Sequence, residues 1–405
     1  NVVNNNYFHF FQFTYNSTKQ EHWLERYCIV GCREARSKID NGQFESAFEL
    51  CEQLLSLIPV NASISLIKTK CIFNSLLGQI YREKGCFEQA LEFDKIAVST
   101  TQLLIDNDTL EEDALVIHLS NLAFNLKELD QIDKAIEIEK KVLSIVNKND
   151  ISDVQSGELD NFNKVTSLNN YAFSCEKNQD THNALKFYQE ALTLSTEYKD
   201  ESNDWLELYA KQLHNLGLFL LNYSEDKSEA ATLIAKATST GESLYEDDKR
   251  YLAVYVTALN SMGKVFNYSA ESIEYYEKCC ELMAPQMEVH PSHWVDKYIA
   301  SKSNLASAVS QVDINKAIGI WEECIKTHES ETTRAGQTWE LSLLGFYLNI
   351  FRVLMNNNGS LSIKEHYSDL SIALLKKLYD KSPEQHAKQL ADLYFERSYD
   401  LFMPE

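Results

Sequence analysis

Glycine and proline are scarce in this chain, at 12 and 5 of 405 residues, well under typical usage of about 7% and about 5%. Tight turns and β-hairpins draw on both residues, so their shortage excludes a turn-rich β architecture and predicts long helices joined by short polar links. Basic residues are also short, with 38 Lys and Arg against 60 Asp and Glu for a net charge of −22. Such a surface repels phosphates, which argues against a nucleic-acid partner and against an anionic membrane surface. The acidic clusters at 106–113, 200–204 and 246–248 fall where helices are predicted to begin, at the positive end of the macrodipole. No run of 18 uninterrupted apolar residues is present, so no membrane span is expected.

Chemical motifs are missing as well. There is no glycine-rich phosphate loop, no G-x-S-x-G elbow and no H-E-x-x-H pair, so the chain is not expected to be an enzyme. His290 and His293 flank Pro291 without a metal-spaced companion. The nine cysteines contain no C-x-x-C pair and read as buried free thiols, neither zinc ligands nor a disulfide framework. No metal and no cofactor is expected. Free thiols fit a reducing, cytoplasmic setting, where sequons such as Asn222-Tyr-Ser and Asn267-Tyr-Ser carry no meaning. The segment Asn1–Asn16 has neither an initiating Met nor the basic start of a signal peptide, which points to a processed or excised chain.

What is abundant is repetition. A small residue near the start of a helix recurs as Ala47, Ala90, Ala135, Ala184, Ala230, Ser272 and Ala317, at intervals of 42 to 49 residues. A single globular core stops growing near roughly 250–300 residues, and a fixed period in this range means stacked helical units. Helix pairs are predicted at 21–40 with 43–58, 63–84 with 87–104, 112–129 with 132–147 and 163–178 with 181–198. Further pairs follow at 204–223 with 226–244, 248–267 with 270–284 and 294–311 with 314–328, with a degenerate pair at 337–356 and 361–379. Before them, the aromatic run Tyr7–Phe13 suggests a strand or an extended arm, and Thr18 to Glu21 reads as a capping box. The longest polar interruptions are 147–163 and 285–296. Ser382-Pro383-Glu384-Gln385 opens a terminal helix that covers the last apolar face.

The repeat resembles the tetratricopeptide family. Leu77, Gly78, Tyr81, Gly85, Ala90 and Ala97 follow that family's pattern nearly throughout. Gly42, Ala47, Leu54 and Pro59 match its second half, and Leu216, Gly217, Ala230 and Ala237 match again. Looser copies run through Leu122, Ala123 and Ala135, Ala172, Ala184 and Ala191, Met262, Gly263 and Phe266, and Leu305, Ala306 and Ala317. The family's usual period is about 34 residues; the longer repeats here are similar to those of kinesin light chains.

The resemblance implies an all-α, right-handed α-solenoid of about seven helix pairs plus a C-terminal capping helix. The expected divisions are an N-terminal aromatic extension at 1–16, the solenoid at 17–380 and the cap at 381–405. It also implies that the residue before the Leu-Gly pair faces the concave side. That residue is Asn121, Asn170, Asn215 and Asn304, with Asn260 beside Ser261 in the sixth repeat. An amide there serves the backbone of an extended peptide or bonds to a neighbouring helix. On the same predicted face, Arg82, Lys127, Lys211 and Lys264 could meet carboxylates of a partner or remain solvated charges. Two roles follow: a scaffold or adaptor holding a protein or peptide partner, or a regulatory subunit of an enzyme such as a caspase-like protease, with bacterial peptide-signal regulators as a further analogy.

Overall fold

The computed structural model describes residues 2–149, 157–331, 337–357 and 359–402. Every regular element among them is a helix. The chain divides into two compact units, 1–254 and 255–405.

In the first unit α1 (Val2–Thr18) packs on α2 (Glu21–Asp40), and α2 pairs with α3 (Phe44–Leu57). The pairs α4 (Ile64–Glu83) with α5 (Phe87–Asp106), α6 (Val116–Glu128) with α7 (Ile132–Asn149), α8 (Gly157–Lys177) with α9 (Thr181–Tyr198) and α10 (Asn203–Tyr223) with α11 (Ser228–Asp247) follow. Helix α12 (Leu252–Val265) leads into the second unit. There α13 (Ser272–Val289), α14 (Pro291–Val309), α15 (Ile314–Ser330), α16 (Gln337–Asn356), α17 (Leu361–Lys381) and α18 (Pro383–Phe402) stack in chain order. The architecture is an all-α solenoid.

Packing explains the repeat. Ala47, Ala90, Ala135, Ala184, Ala230, Ser272 and Ala317 are all fully buried, where a larger side chain would hold the paired helices apart. Four residues after Ala90, Asp94 reaches across to Gly78, where a Cβ would come within 2.7 Å of Asp94 Oδ1. The second-helix residue at this position is Ile234 against Gly217 and Tyr276 against Gly263, so the small residue of the Leu-Gly pair makes room for it.

The turns inside the pairs also repeat. Gly42, Gly85, Asp130 and Gln179 stand five residues before their alanines and have positive φ angles of 70°, 74°, 58° and 60°. The next N–H in each case returns 2.8 Å to a carbonyl five residues back: Gln43 to Lys38, Cys86 to Tyr81, Gln131 to Leu126 and Asp180 to Cys175. This is the Schellman closure. Helix starts are capped by Ser63, Asp180, Ser202 and Asp313, each accepting from a backbone N–H three residues on.

Three expectations need correction. The aromatic run is helical, since Phe8, Phe11, Gln12 and Tyr15 have helical spacing, and Phe8 and Tyr15 pack on Tyr27 while Phe11 meets Trp23. Helix α1 continues to Thr18, so the Thr18–Glu21 box does not form; Gln20 precedes α2 without a side-chain cap. Pro285 lies inside α13, whose last turn survives the missing N–H while Met283 and Met287 pack into the core. The interruption expected at 285–296 shrinks to His290 between α13 and α14. Most of the interruption expected at 147–163 lies outside the described residues.

Candidate partner-binding face

The first helices of successive pairs carry one stripe each, at spacings of four, three and four residues, which a helix places on a single face. On α6 the stripe is Ile117, Asn121, Phe124 and Glu128; on α8 it is Thr166, Asn170, Phe173 and Lys177; on α10 it is Lys211, Asn215, Leu218 and Asn222. Helix α8 lies against both α6 and α10. Ile117, Phe124 and Phe173 are 61%, 43% and 36% exposed, as are other apolar side chains of the array such as Ile96 and Leu103, at 42% and 55%.

The amides divide into two classes. Asn215 Nδ2 donates to Asn169 Oδ1 at 2.8 Å, and His214 Nδ1 lies 3.1 Å from Asn215 Oδ1. In the second unit Asn304 Nδ2 donates to Asn260 Oδ1 at 3.0 Å. Both bonds run from the stripe position to the residue just before that position in the preceding repeat. Asn260 is therefore out of phase with the ladder. The in-phase residue, Ser261, is buried with its hydroxyl on Thr257 O. The repeat before α6 and the repeat before α8 have Ser75 and Ser120 where Asn169 and Asn260 stand. Asn121 and Asn170 are half-exposed, and neither side chain has a hydrogen-bond partner among the described residues.

The four candidate cations have different environments. Arg82 Nη1 donates to Asp94, which also accepts from Asn125 Nδ2 at 2.6 Å. Lys127 Nζ meets Glu139 Oε1 at 2.7 Å with both side chains only 4% exposed. Tyr188 completes the series by donating to Glu176 at 2.9 Å. Each pair spans 12 residues and joins the end of a first helix to the second helix of its own repeat. The carboxylates that Arg82 and Lys127 meet thus belong to this chain. Lys211 is exposed and bridges to Glu207 one turn back at 2.8 Å. Half-buried Lys264 has its pKa lowered by burial. Burial also raises Glu139, against the pull of Lys127, and pushes Asp94 up to about 6 despite Arg82.

The sequence pointed to the Asn position. It did not single out Phe124 and Phe173, although their fixed distance of three residues from Asn121 and Asn170 was available. Phe124 is buttressed by Phe87 at 6.2 Å, and Phe173 has the ammonium groups of Lys127 and Lys177 each 5.4 Å from its ring centre.

All nine cysteines are unpaired, and burial pushes the Cys28, Cys51, Cys279 and Cys324 thiols up to about 12, which keeps them protonated. No cluster of three or more His, Cys, Asp or Glu side chains able to hold a metal occurs among the described residues. No helix among them is long and apolar enough to cross a membrane.

No protein-family model matches this chain, and no curated protein sequence matches it. Solved structures do. A Rap protein complexed with Competence and Sporulation Factor is similar at a TM-score of 0.53 and 14% identity, over 92% of this chain and 97% of that one. The apo quorum sensor NprR from B. thuringiensis is similar at 0.54 and 15%, over 87% and 88%. A signal-transduction ATPase with a tetratricopeptide-repeat sensor from Pyrococcus horikoshii is similar at 0.51 and 15%. The chain has the tetratricopeptide-repeat fold. The match to the ATPase covers 94% of this chain and 54% of that one, so this chain spans about half of the larger protein's length. Tetratricopeptide geometry accounts for the way the Asn stripe, the alanines and the left-handed turn residues keep phase over repeats longer than the family's usual period.

Proposed function

We propose that the chain is a non-enzymatic interaction module that holds a peptide or a partner domain on the first-helix face, as a scaffold or adaptor. The observation that supports this most is the pair of partnerless amides, Asn121 and Asn170, each beside an exposed phenylalanine. A half-exposed amide with no protein partner can exchange its solvent hydrogen bonds for the backbone of an extended segment. Asn215 and Asn304 spend their donors on neighbouring helices and have a structural part in this reading. Lys211 flanks the face as a secondary contact, while Arg82 and Lys127 each tie together the two helices of one repeat.

A regulatory role is the second reading. Its support is the likeness to a Rap protein complexed with Competence and Sporulation Factor and to the quorum sensor NprR. Nine unpaired thiols fit a reducing, cytoplasmic location, and α18 serves as the cap of the array. Affinity capture from native lysate with the full chain, compared with Asn121→Ala/Asn170→Ala, tests the proposal. A partner retained by the wild type and lost by the double variant supports it, and a stoichiometric enzyme among the retained proteins favours the regulatory reading. Equal retention by a normally helical double variant moves the binding surface elsewhere.

A further inference from the structure

Helix α1 is aromatic on two sides, and α2 covers only one of them. Phe8, Phe11 and Tyr15 turn toward α2, where they meet Tyr27 and Trp23. Tyr7, Phe10 and Phe13 are 55%, 55% and 73% exposed. Helical spacing puts Phe10 and Phe13 on the side away from the covered row, with Tyr7 at its rim. The Phe10 ring is already held edge-on by Phe11 at 5.4 Å and by Trp23 at 6.3 Å. A ring fixed in this way loses little freedom when something docks on it.

Charge selects the occupant. Between Asn1 and Arg26 the only charged residues are Lys19, Glu21, Glu25 and Arg26, two of each sign, so the net charge of −22 lies entirely in the rest of the chain. The 17 residues of α1 have no Asp, Glu, Lys or Arg. They form a neutral strip about 25 Å long, well beyond the screening length of about 8 Å at physiological salt. In a two-fold contact each patch meets itself, so every charge on it faces a like charge. For a chain this acidic most surfaces fail that condition, and α1 meets it. A helix that lies on a membrane brings Lys and Arg on its polar face, and α1 has neither.

The area is adequate for a reversible contact. Aromatic side chains offer about 150–250 Å² each, so the three leave roughly 370 Å² open per copy and about 700 Å² in a pair. Exposed His9, Asn16 and Ser17 extend this toward the lower end of specific interfaces, about 1,200 Å².

We propose that α1 is a self-association helix, through which two copies of this chain pair face to face. A two-fold axis crossing α1 between residues 11 and 12 sets Phe10 of each copy against the partner's Phe13. It also runs the two helix dipoles in opposite directions.

Sedimentation velocity of the full chain over a hundredfold concentration range, in low and high salt, tests this. The wild type should pass from the 46.5 kDa monomer to a dimer as concentration rises, with no weakening in high salt. Phe10→Glu/Phe13→Glu should weaken association at least tenfold, and so should Phe13→Glu alone, whose ring is the most exposed of the three. Both variants should keep the wild-type melting temperature. A trace of labelled wild type in excess double variant should remain monomeric, because a two-fold contact needs both copies of α1. A labelled heterodimer in that mixture would place α1 against a different surface and overturn the proposal. A chain monomeric at every concentration, or a dimer unaffected by Phe13→Glu, also overturns it. So does a monomer that co-sediments with phosphatidylcholine vesicles, which would assign the aromatic face to lipid.

Discussion

Lys127→Met removes the ammonium from a pair in which both side chains are 4% exposed and 2.7 Å apart. Glu139 is left buried with no counter-ion, a change that costs about 3–5 kcal/mol when one partner of a buried pair is deleted. Burial already holds the Glu139 pKa above the usual carboxylate range, so the orphaned group can escape part of the penalty by taking up a proton. The expected loss is therefore near the lower end, about 3 kcal/mol at neutral pH, and smaller in mild acid. Glu139→Leu should cost a similar amount by stranding Lys127. The double variant Lys127→Met/Glu139→Leu buries apolar groups in place of both charges and should return to within about 1 kcal/mol of wild type. Urea titrations of the four proteins, followed by far-UV circular dichroism, give the coupling. A coupling near zero, with each single variant costing about 0.5 kcal/mol or less, is the behaviour of a solvated surface pair. It would refute the internal placement of Lys127 and return it to the list of partner contacts.

Asp94 supplies a pH-dependent counterpart. Its folded pKa, about 6, is above the unfolded value of 3.8, so its contribution is greatest below about pH 4 and is lost as pH rises through 6. The difference is about 3 kcal/mol, and Asp94→Asn should flatten the stability profile over that window; an unchanged slope in urea titrations contradicts the assignment. Ala90→Leu should overpack the fully buried contact between α4 and α5 and cost about 1–3 kcal/mol, whereas wild-type thermal stability would mean the repeat phase is wrong. Gln179 holds a left-handed φ of 60° where the first two repeats have glycine; Gln179→Gly should raise stability by up to about 1 kcal/mol, and a lowered melting temperature counts against the turn argument.

The fold was legible because its determinants are local and periodic. Alanines at a fixed phase, left-handed turn residues five positions earlier and capping side chains all leave marks in one dimension. Helix α1 was misread because a run of aromatic residues hides a helical spacing that only Phe8, Phe11 and Tyr15 use. Pro285 was misread because a proline in the last turn interrupts one hydrogen bond without ending a helix whose apolar side is still buried. The face was half legible. The Asn ladder could be found by phase, but whether each amide is free depends on the residue one repeat away: Asn169 and Asn260 capture Asn215 and Asn304, while Ser120 leaves Asn170 open. Arg82 and Lys127 have helical phases compatible with a solvated face, and only the position of Asp94 and Glu139 on the partner helix turns them inward.

Site-specific photocrosslinking tests the central claim most directly. A photoreactive phenylalanine analogue at Thr166, exposed on the α8 stripe, is compared in native lysate with the same analogue at Gln189, exposed on the second helix α9. The account predicts a crosslinked partner from Thr166 that is absent from Gln189. Excess unmodified chain should compete it away, and excess Asn121→Ala/Asn170→Ala chain should not. Equal crosslinking from both positions, or competition by the double variant as strong as by the wild type, would contradict a binding role for the first-helix face.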